Sequence, residues 1–307
     1  MDRNSVDWKG YIPAVTTPFD EDLRFDRKAQ GELLDWYVQE KLHGIIVGGT
    51  TGEWFSMSKE ERALQFRVVG ETVKGRFTLI AGCNSYTAAE AIELSKVAKE
   101  AGFDGILVTP PPYVVPTDEE LVAFYQTVSD GSTLPICVYN WPRGTNVDMS
   151  IDVLDRIADI EKVVAIKNST GSFGHFVNGF FALRHKVRYF GFPTNEFGIS
   201  MVGKEGGDGL MGAGAVLGRN HPEFFNAVWR GDLDSARRVG AMDRVIMTEL
   251  FRSDYSAAFG SAQAVFKTAL NLQGIPAGRV RPPLLDLDEQ QIERVRSVLR
   301  RLDRIAA

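Results

Sequence analysis

Eight short apolar runs, almost evenly spaced and separated by stretches of helical periodicity, constrain this 307-residue chain more than any other feature. They are YIPAVTTPF (11–19), GIIVGG (44–49), FTLIAGC (77–83), DGILVTP (104–110), PICVYN (135–140), VVAIKN (163–168), RYFG (188–191) and DGLMGAG (208–214). Most are rich in β-branched or aromatic residues, and none alternates clearly between apolar and polar. Strands buried on both faces read this way, as in a parallel sheet covered by helices. Residues 59–74 and 88–101 carry the helical spacing in between. Three helix starts show the capping pair Ser58/Glu61, Thr87/Glu90 and Thr117/Glu120, in which hydroxyl and carboxylate each satisfy a free amide of the first turn. Gly75, Gly102 and Gly131 stand where those helices should stop.

Eight strand–helix units over residues 1–231 predict an α/β fold, a (β/α)8 TIM barrel. A doubly wound open sheet is the competing arrangement, but no glycine fingerprint follows the first strand. Residues 232–307 read as helices only, over 232–252, 254–272 and 288–305. Leu233, Ala236, Val239, Gly240 and Asp243 trace one helical face. The link 274–283 (GIPAGRVRPP) is short and stiffened by proline. The tail is therefore expected to be a helical appendage packed on the barrel, not an independent domain.

Composition narrows the class of protein. A formal net charge of −5 leaves no basic field for nucleic acid. No apolar run approaches the roughly 20 residues that span a bilayer, and the start, MDRNSVDWKGY, has no hydrophobic stretch of a signal peptide. Cys83 and Cys137 each lie inside an apolar run, as buried free thiols of a reducing cytoplasm would. His43, His175, His185 and His221 have no ligand spacing, so neither a metal site nor another cofactor is expected.

In a barrel of this kind the reacting groups stand at the C-terminal ends of strands. Lys167 closes the run Val163-Val164-Ala165-Ile166, which delivers its amine into the barrel mouth. Desolvation there lowers the pKa of an ammonium and frees it as a nucleophile; an ion pair with a barrel acid such as Glu53 is the competing reading. Lys59, Lys74, Lys96 and Lys99 instead sit on amphipathic helices. The turn Gly49-Thr50-Thr51-Gly52-Glu53 offers amides and hydroxyls to an anion, or is a plain tight turn. Tyr139 brings a phenol to the mouth, as a proton relay or as a buried structural tyrosine. The glycines of 212–218 suit phosphate binding less than close packing of the last strand.

Taken together, Gly49-Thr50-Thr51-Gly52-Glu53, Tyr139-Asn140-x-Pro142 and Ile166-Lys167 at a strand end resemble the dihydrodipicolinate synthase/N-acetylneuraminate lyase family, over nearly the whole chain. The resemblance implies that Lys167 forms a Schiff base with pyruvate or another small 2-oxo acid. It implies that Tyr139 shuttles protons and that Thr50 and Thr51, with Gly49, grip the substrate carboxylate, Thr51 also being linked to the Tyr139 phenol. Tyr113 matches a tyrosine that some members lend across a subunit interface, which implies a homo-oligomer, a dimer of dimers.

Two segments depart from the pattern. The synthases continue Tyr-Asn-x-Pro with Gly-Arg-Thr, the arginine holding the second substrate's carboxylate; here Pro142-Arg143-Gly144-Thr145 sets the arginine one place early. Gly52-Glu53-Trp54-Phe55-Ser56-Met57 and residues 191–196 are more similar to 5-dehydro-4-deoxyglucarate dehydratases, whereas residues 139–142 are not. The expected activity is a Schiff-base lyase performing aldol cleavage, condensation or dehydration. Dihydrodipicolinate synthesis for lysine and a non-catalytic 2-oxo acid binder are the alternatives.

Overall fold

The computed structural model describes residues 1–306 apart from Lys74 and Ser253. Lys74, expected to end the helix over 59–74, thus lies outside the described residues, as does Ala307. Eight parallel strands form one sheet: β1 (Gly10–Tyr11), β2 (Gly44–Val47), β3 (Thr78–Gly82), β4 (Gly105–Val108), β5 (Ile136–Asn140), β6 (Val163–Asn168), β7 (Arg188–Phe190) and β8 (Gly209–Leu210). From β2 to β8 each strand pairs with its sequence neighbour, and β1 pairs with β8. Ala14 bridges both Ile46 and Ala213, which closes the sheet into the expected barrel. The ladder at 11–19 is shorter than its apolar run. Pro13 and Pro18 have no amide to donate, and only Ala14 and Phe19 bridge beyond Tyr11.

The layer around the barrel comprises α1 (Arg27–Gln39), α2 (Lys59–Val73), α3 (Ala88–Glu100), α4 (Asp118–Gly131), the short α5 (Pro142–Thr145), α6 (Ile151–Ala158), α7 (Phe173–Leu183), α8 (Glu196–Lys204) and α9 (Asn220–Arg230). The capping pairs are formed at Ser58/Glu61 and Thr117/Glu120. At α3 the Thr87 hydroxyl accepts from Glu90 N, but the Glu90 carboxylate turns to Arg62 instead. Gly75 and Gly102 take the left-handed conformation that ends a helix. Gly131 does not: it is the last helical residue of α4, where a Cβ would strike Ile92.

Alternation along the strands creates two apolar layers. Ile46, Ile80, Leu107, Cys137, Ala165 and Phe190 fill the barrel, with Trp8 beneath them. Their neighbours Ile45, Val47, Leu79, Ile106, Val138, Ile166 and Tyr189 pack outward against the helices. After the barrel come α10 (Leu233–Glu249), α11 (Ala262–Leu272) and α12 (Glu289–Arg301). Their shared cluster, including Ile246, Val265, Ala269, Val295 and Leu299, also takes in Val216 and Leu217 after β8. The helix expected over 254–272 begins only at Ala262: Tyr255 and Gly260 have positive φ, and Ser261 caps the helix. Gly214 faces Phe266 of α11, Gly212 faces Tyr11 and Gly218 faces Glu40, each closer than a Cβ would fit, so the 212–218 glycines serve close packing after the last strand.

Candidate active site

Parallel registry brings the amine and the phenol together. Tyr139 on β5 pairs with Lys167 on β6, and paired residues of neighbouring strands project to the same face. Two residues below them, Cys137 pairs with Ala165 inside the barrel. The Lys167 Nζ lies 4.2 Å from the centroid of the Tyr139 ring, and its side chain is only 6% exposed.

Burial lowers the Lys167 ammonium to about 8, and the only opposing influence is the weak pull of the Cys137 thiol. No carboxylate among the described residues contributes. The ion pair with Glu53 is not formed, because Glu53 is taken by another lysine: Lys267 Nζ on α11 stands 2.5 Å from Glu53 Oε1. Lys267 also donates to Arg279 O at 2.6 Å. Its ammonium is pulled down by burial and back up by Glu53. The two buried lysines therefore differ in kind. Lys267 is held as half of an ion pair, and Lys167 is free to lose its proton.

Burial pushes the Tyr139 phenol well above its ordinary pKa, with the nearby Ser169 side chain as the main opposing influence. A neutral phenol is a proton donor to a developing oxyanion. No hydrogen bond joins Tyr139 to Thr51 among the described residues. The Ser169 amide donates to Asn140 O at 2.9 Å, which fixes the Ser169 backbone beside the end of β5. The Trp141 ring stacks on Tyr139 with centroids 5.6 Å apart. Behind the sheet, Asn140 Nδ2 donates to Asn168 Oδ1 (3.0 Å) and to Asp148 Oδ1 (2.7 Å), and Asn168 Nδ2 donates to Tyr189 OH (2.7 Å). Those bonds tie β5, β6 and β7 together beneath the reacting pair.

The turn after β2 closes tightly. Gly48 has φ 70°, which favours glycine, and a Cβ on Gly52 would stand 3.1 Å from both Gly48 N and Val15 O. Gly49 and Thr51 are buried and Thr50 is half-buried. The carbonyls of this turn are taken up within it and by the scaffold: Gly49 O and Thr50 O accept from Gly52 N (3.0 Å) and Glu53 N (3.1 Å), Thr17 Oγ1 donates to Gly52 O (2.7 Å), and Gln263 Nε2 on α11 also donates to Thr50 O (3.0 Å). Among the described residues the amides of Thr50 and Thr51 donate to no protein acceptor. Two free amides beside two hydroxyls suit an anionic oxygen.

At the rim, Trp54 is held by Arg62, 5.2 Å from its ring, and meets Tyr86 edge-on at 6.1 Å. Arg143 is half-exposed, its Nε 3.8 Å from Asp254 and its charge near enough to oppose the rise of the Tyr139 phenol. Tyr113 is 95% exposed with φ 82° and is not brought to Lys167 within this chain. Sequence reasoning assigned no role to Ser169, Gln263 or Lys267. Ser169 follows Lys167 by two residues on the same strand end, and Lys267 interrupts an apolar helical face (AVFKTAL), signals that were present.

The Dihydrodipicolinate synthetase family profile matches residues 7–302. A 4-hydroxy-tetrahydrodipicolinate synthase of Oceanobacillus iheyensis is 29% identical over 94% of this chain and 95% of its own. A DapA-like lyase of Rhizobium meliloti is 33% identical over 97% of each chain. Among solved structures, dihydrodipicolinate synthase from Acinetobacter baumannii complexed with pyruvate is 28% identical, with TM-score 0.85 over 97% of this chain and 99% of its own. The barrel, its buried lysine–tyrosine pair and these matches together establish that the chain belongs to the dihydrodipicolinate synthetase family.

Proposed function

We propose that the protein is a Schiff-base-forming lyase acting on pyruvate or another small 2-oxo acid. The observation that carries this reading is Lys167, a buried amine with no carboxylate partner and a pKa lowered to about 8. In the proposed reaction the substrate carboxylate rests on the free amides and hydroxyls of Thr50 and Thr51, next to Gly49. The Lys167 amine adds to the ketone carbon. Tyr139, relayed through Ser169, gives a proton to the departing hydroxyl, so that water leaves and an iminium remains. The iminium draws electrons from the adjacent carbon, which loses a proton or breaks a carbon–carbon bond to give an enamine.

Dihydrodipicolinate synthesis is supported by the relatives' names but not by the rim. Arg143 faces Asp254, and that carboxylate competes with any carboxylate a second substrate would bring. A hydroxylated, sugar-acid-type substrate suits such a rim better. Tyr113, exposed in a single chain, supports a homo-oligomer in which a second subunit covers it, and the buried unpaired cysteines support a cytoplasmic setting. No helix among the described residues is long and apolar enough to cross a membrane. Incubation with pyruvate and borohydride should add to the intact protein the mass of one pyruvate, less one water, plus two hydrogens. A protein unlabelled by pyruvate and by other 2-oxo acids would refute the reading.

A further inference from the structure

The C-terminal helices reach the carboxylate turn at two points. Gln263 and Lys267 are four residues apart on α11 and so share one face. Gln263 bonds Thr50 O, and Lys267 pairs with Glu53. The other Glu53 oxygen accepts from Arg281 N at 2.9 Å, beyond the same helix. Glu53 and Lys267 are 0% and 2% exposed, and Glu53 holds a left-handed backbone conformation (φ 58°) that a non-glycine residue rarely adopts. The turn is therefore clamped on both sides of Thr51 by residues that lie outside the barrel.

Peptide geometry gives the clamp a direction. The carbonyl of Thr50 and the amide of Thr51 belong to one planar trans peptide and point opposite ways. Thr50 O accepts both from Glu53 N within the turn (3.1 Å) and from Gln263 on α11 (3.0 Å), and the two bonds together hold the Thr51 N–H turned away from α11, where among the described residues it has no protein acceptor. Glu53, whose amide donates to that same carbonyl, is in turn fixed by Lys267, so α11 holds the peptide from both ends of the turn. Packing alone does not require these bonds, since the apolar contacts of α11 run through Val265, Ala269 and their neighbours.

We propose that Gln263 and Lys267 are positioning residues that orient the Thr50–Thr51 amides for the substrate carboxylate. Residues 1–231 then carry the reacting groups, and residues 232–307 set the affinity with which one of them is used. The inference rests on the functional reading above, and the test separates the two. Gln263→Met keeps the length of the side chain and removes the donor, whereas Lys267→Met leaves Glu53 unpaired and can fail to fold. Borohydride trapping is followed against concentration with pyruvate, and with hydroxyacetone, a ketone lacking the carboxylate.

For Gln263→Met the half-saturating pyruvate concentration should rise about fivefold, the effect of one lost hydrogen bond, with the trapping rate at saturation within about twofold of the parent. Half-saturation by hydroxyacetone should not move. Gln263→Glu, which accepts but does not donate, should raise the pyruvate value further. An unchanged pyruvate value, or equal shifts for both ketones, would overturn the positioning role. Absence of trapping in the parent protein would instead sink the functional reading, and this inference with it.

Discussion

Lys167 and Lys267 are both nearly inaccessible, both pulled down by burial, and both lie against an aromatic ring, Tyr139 and Phe19 respectively. Only their partners differ. Lys267 has Glu53 and a backbone carbonyl; Lys167 has a thiol and a phenol that burial keeps neutral. Burial alone does not make a nucleophile. In an ion pair, losing the proton strands a buried carboxylate, so the cost of deprotonation is raised on both sides. Without a partner, losing the proton relieves the desolvation, and the amine is available near neutral pH.

Replacing each lysine by methionine breaks the comparison most sharply. Lys167→Met should abolish turnover and, by removing an uncompensated buried ammonium, stabilise the fold by about 1–3 kcal/mol at pH 7. Lys267→Met should destabilise it by about 3–5 kcal/mol, because Glu53 is left buried and unpaired. Denaturant unfolding of the two variants reads both signs; shifts in the same direction would mean that the partners do not distinguish these residues. Tyr139→Phe should lower turnover about 100-fold through loss of the proton relay, measured as kcat, while the fold is preserved because the ring still stacks on Trp141.

The pH dependence sharpens the same contrast. Below its folded pKa of about 8 Lys167 is an ammonium and cannot attack, so the rate of imine trapping should rise about tenfold per pH unit up to about 8 and level off above it. A rate that keeps climbing to about pH 10 would mean an unperturbed lysine.

Much of the site was legible in the linear sequence. The eight apolar runs mark the strands, and a lysine at the end of an unbroken apolar run has nowhere to go but the barrel mouth. Tyr139 was legible for the same reason. The pairing of Glu53 was not: it depends on α11, more than 200 residues away in the chain, and local periodicity carries no information about such contacts. The link between Thr51 and Tyr139 was expected by resemblance; no hydrogen bond joins the two among the described residues, and the bond of Ser169 N to Asn140 O, which brings a further hydroxyl-bearing residue to that strand end, carries no local signal in the sequence. Arg143 was read as one place early, and its approach to Asp254 follows from a loop after α10 whose course no motif encodes. The short first strand had its cause in plain view, in Pro13 and Pro18.

The difference between the two lysines is tested most directly by where pyruvate attaches. After borohydride reduction and proteolysis, the modified peptide should carry its added mass on Lys167, with the peptide containing Lys267 unmodified. Label on Lys267, or on both lysines equally, would contradict the account.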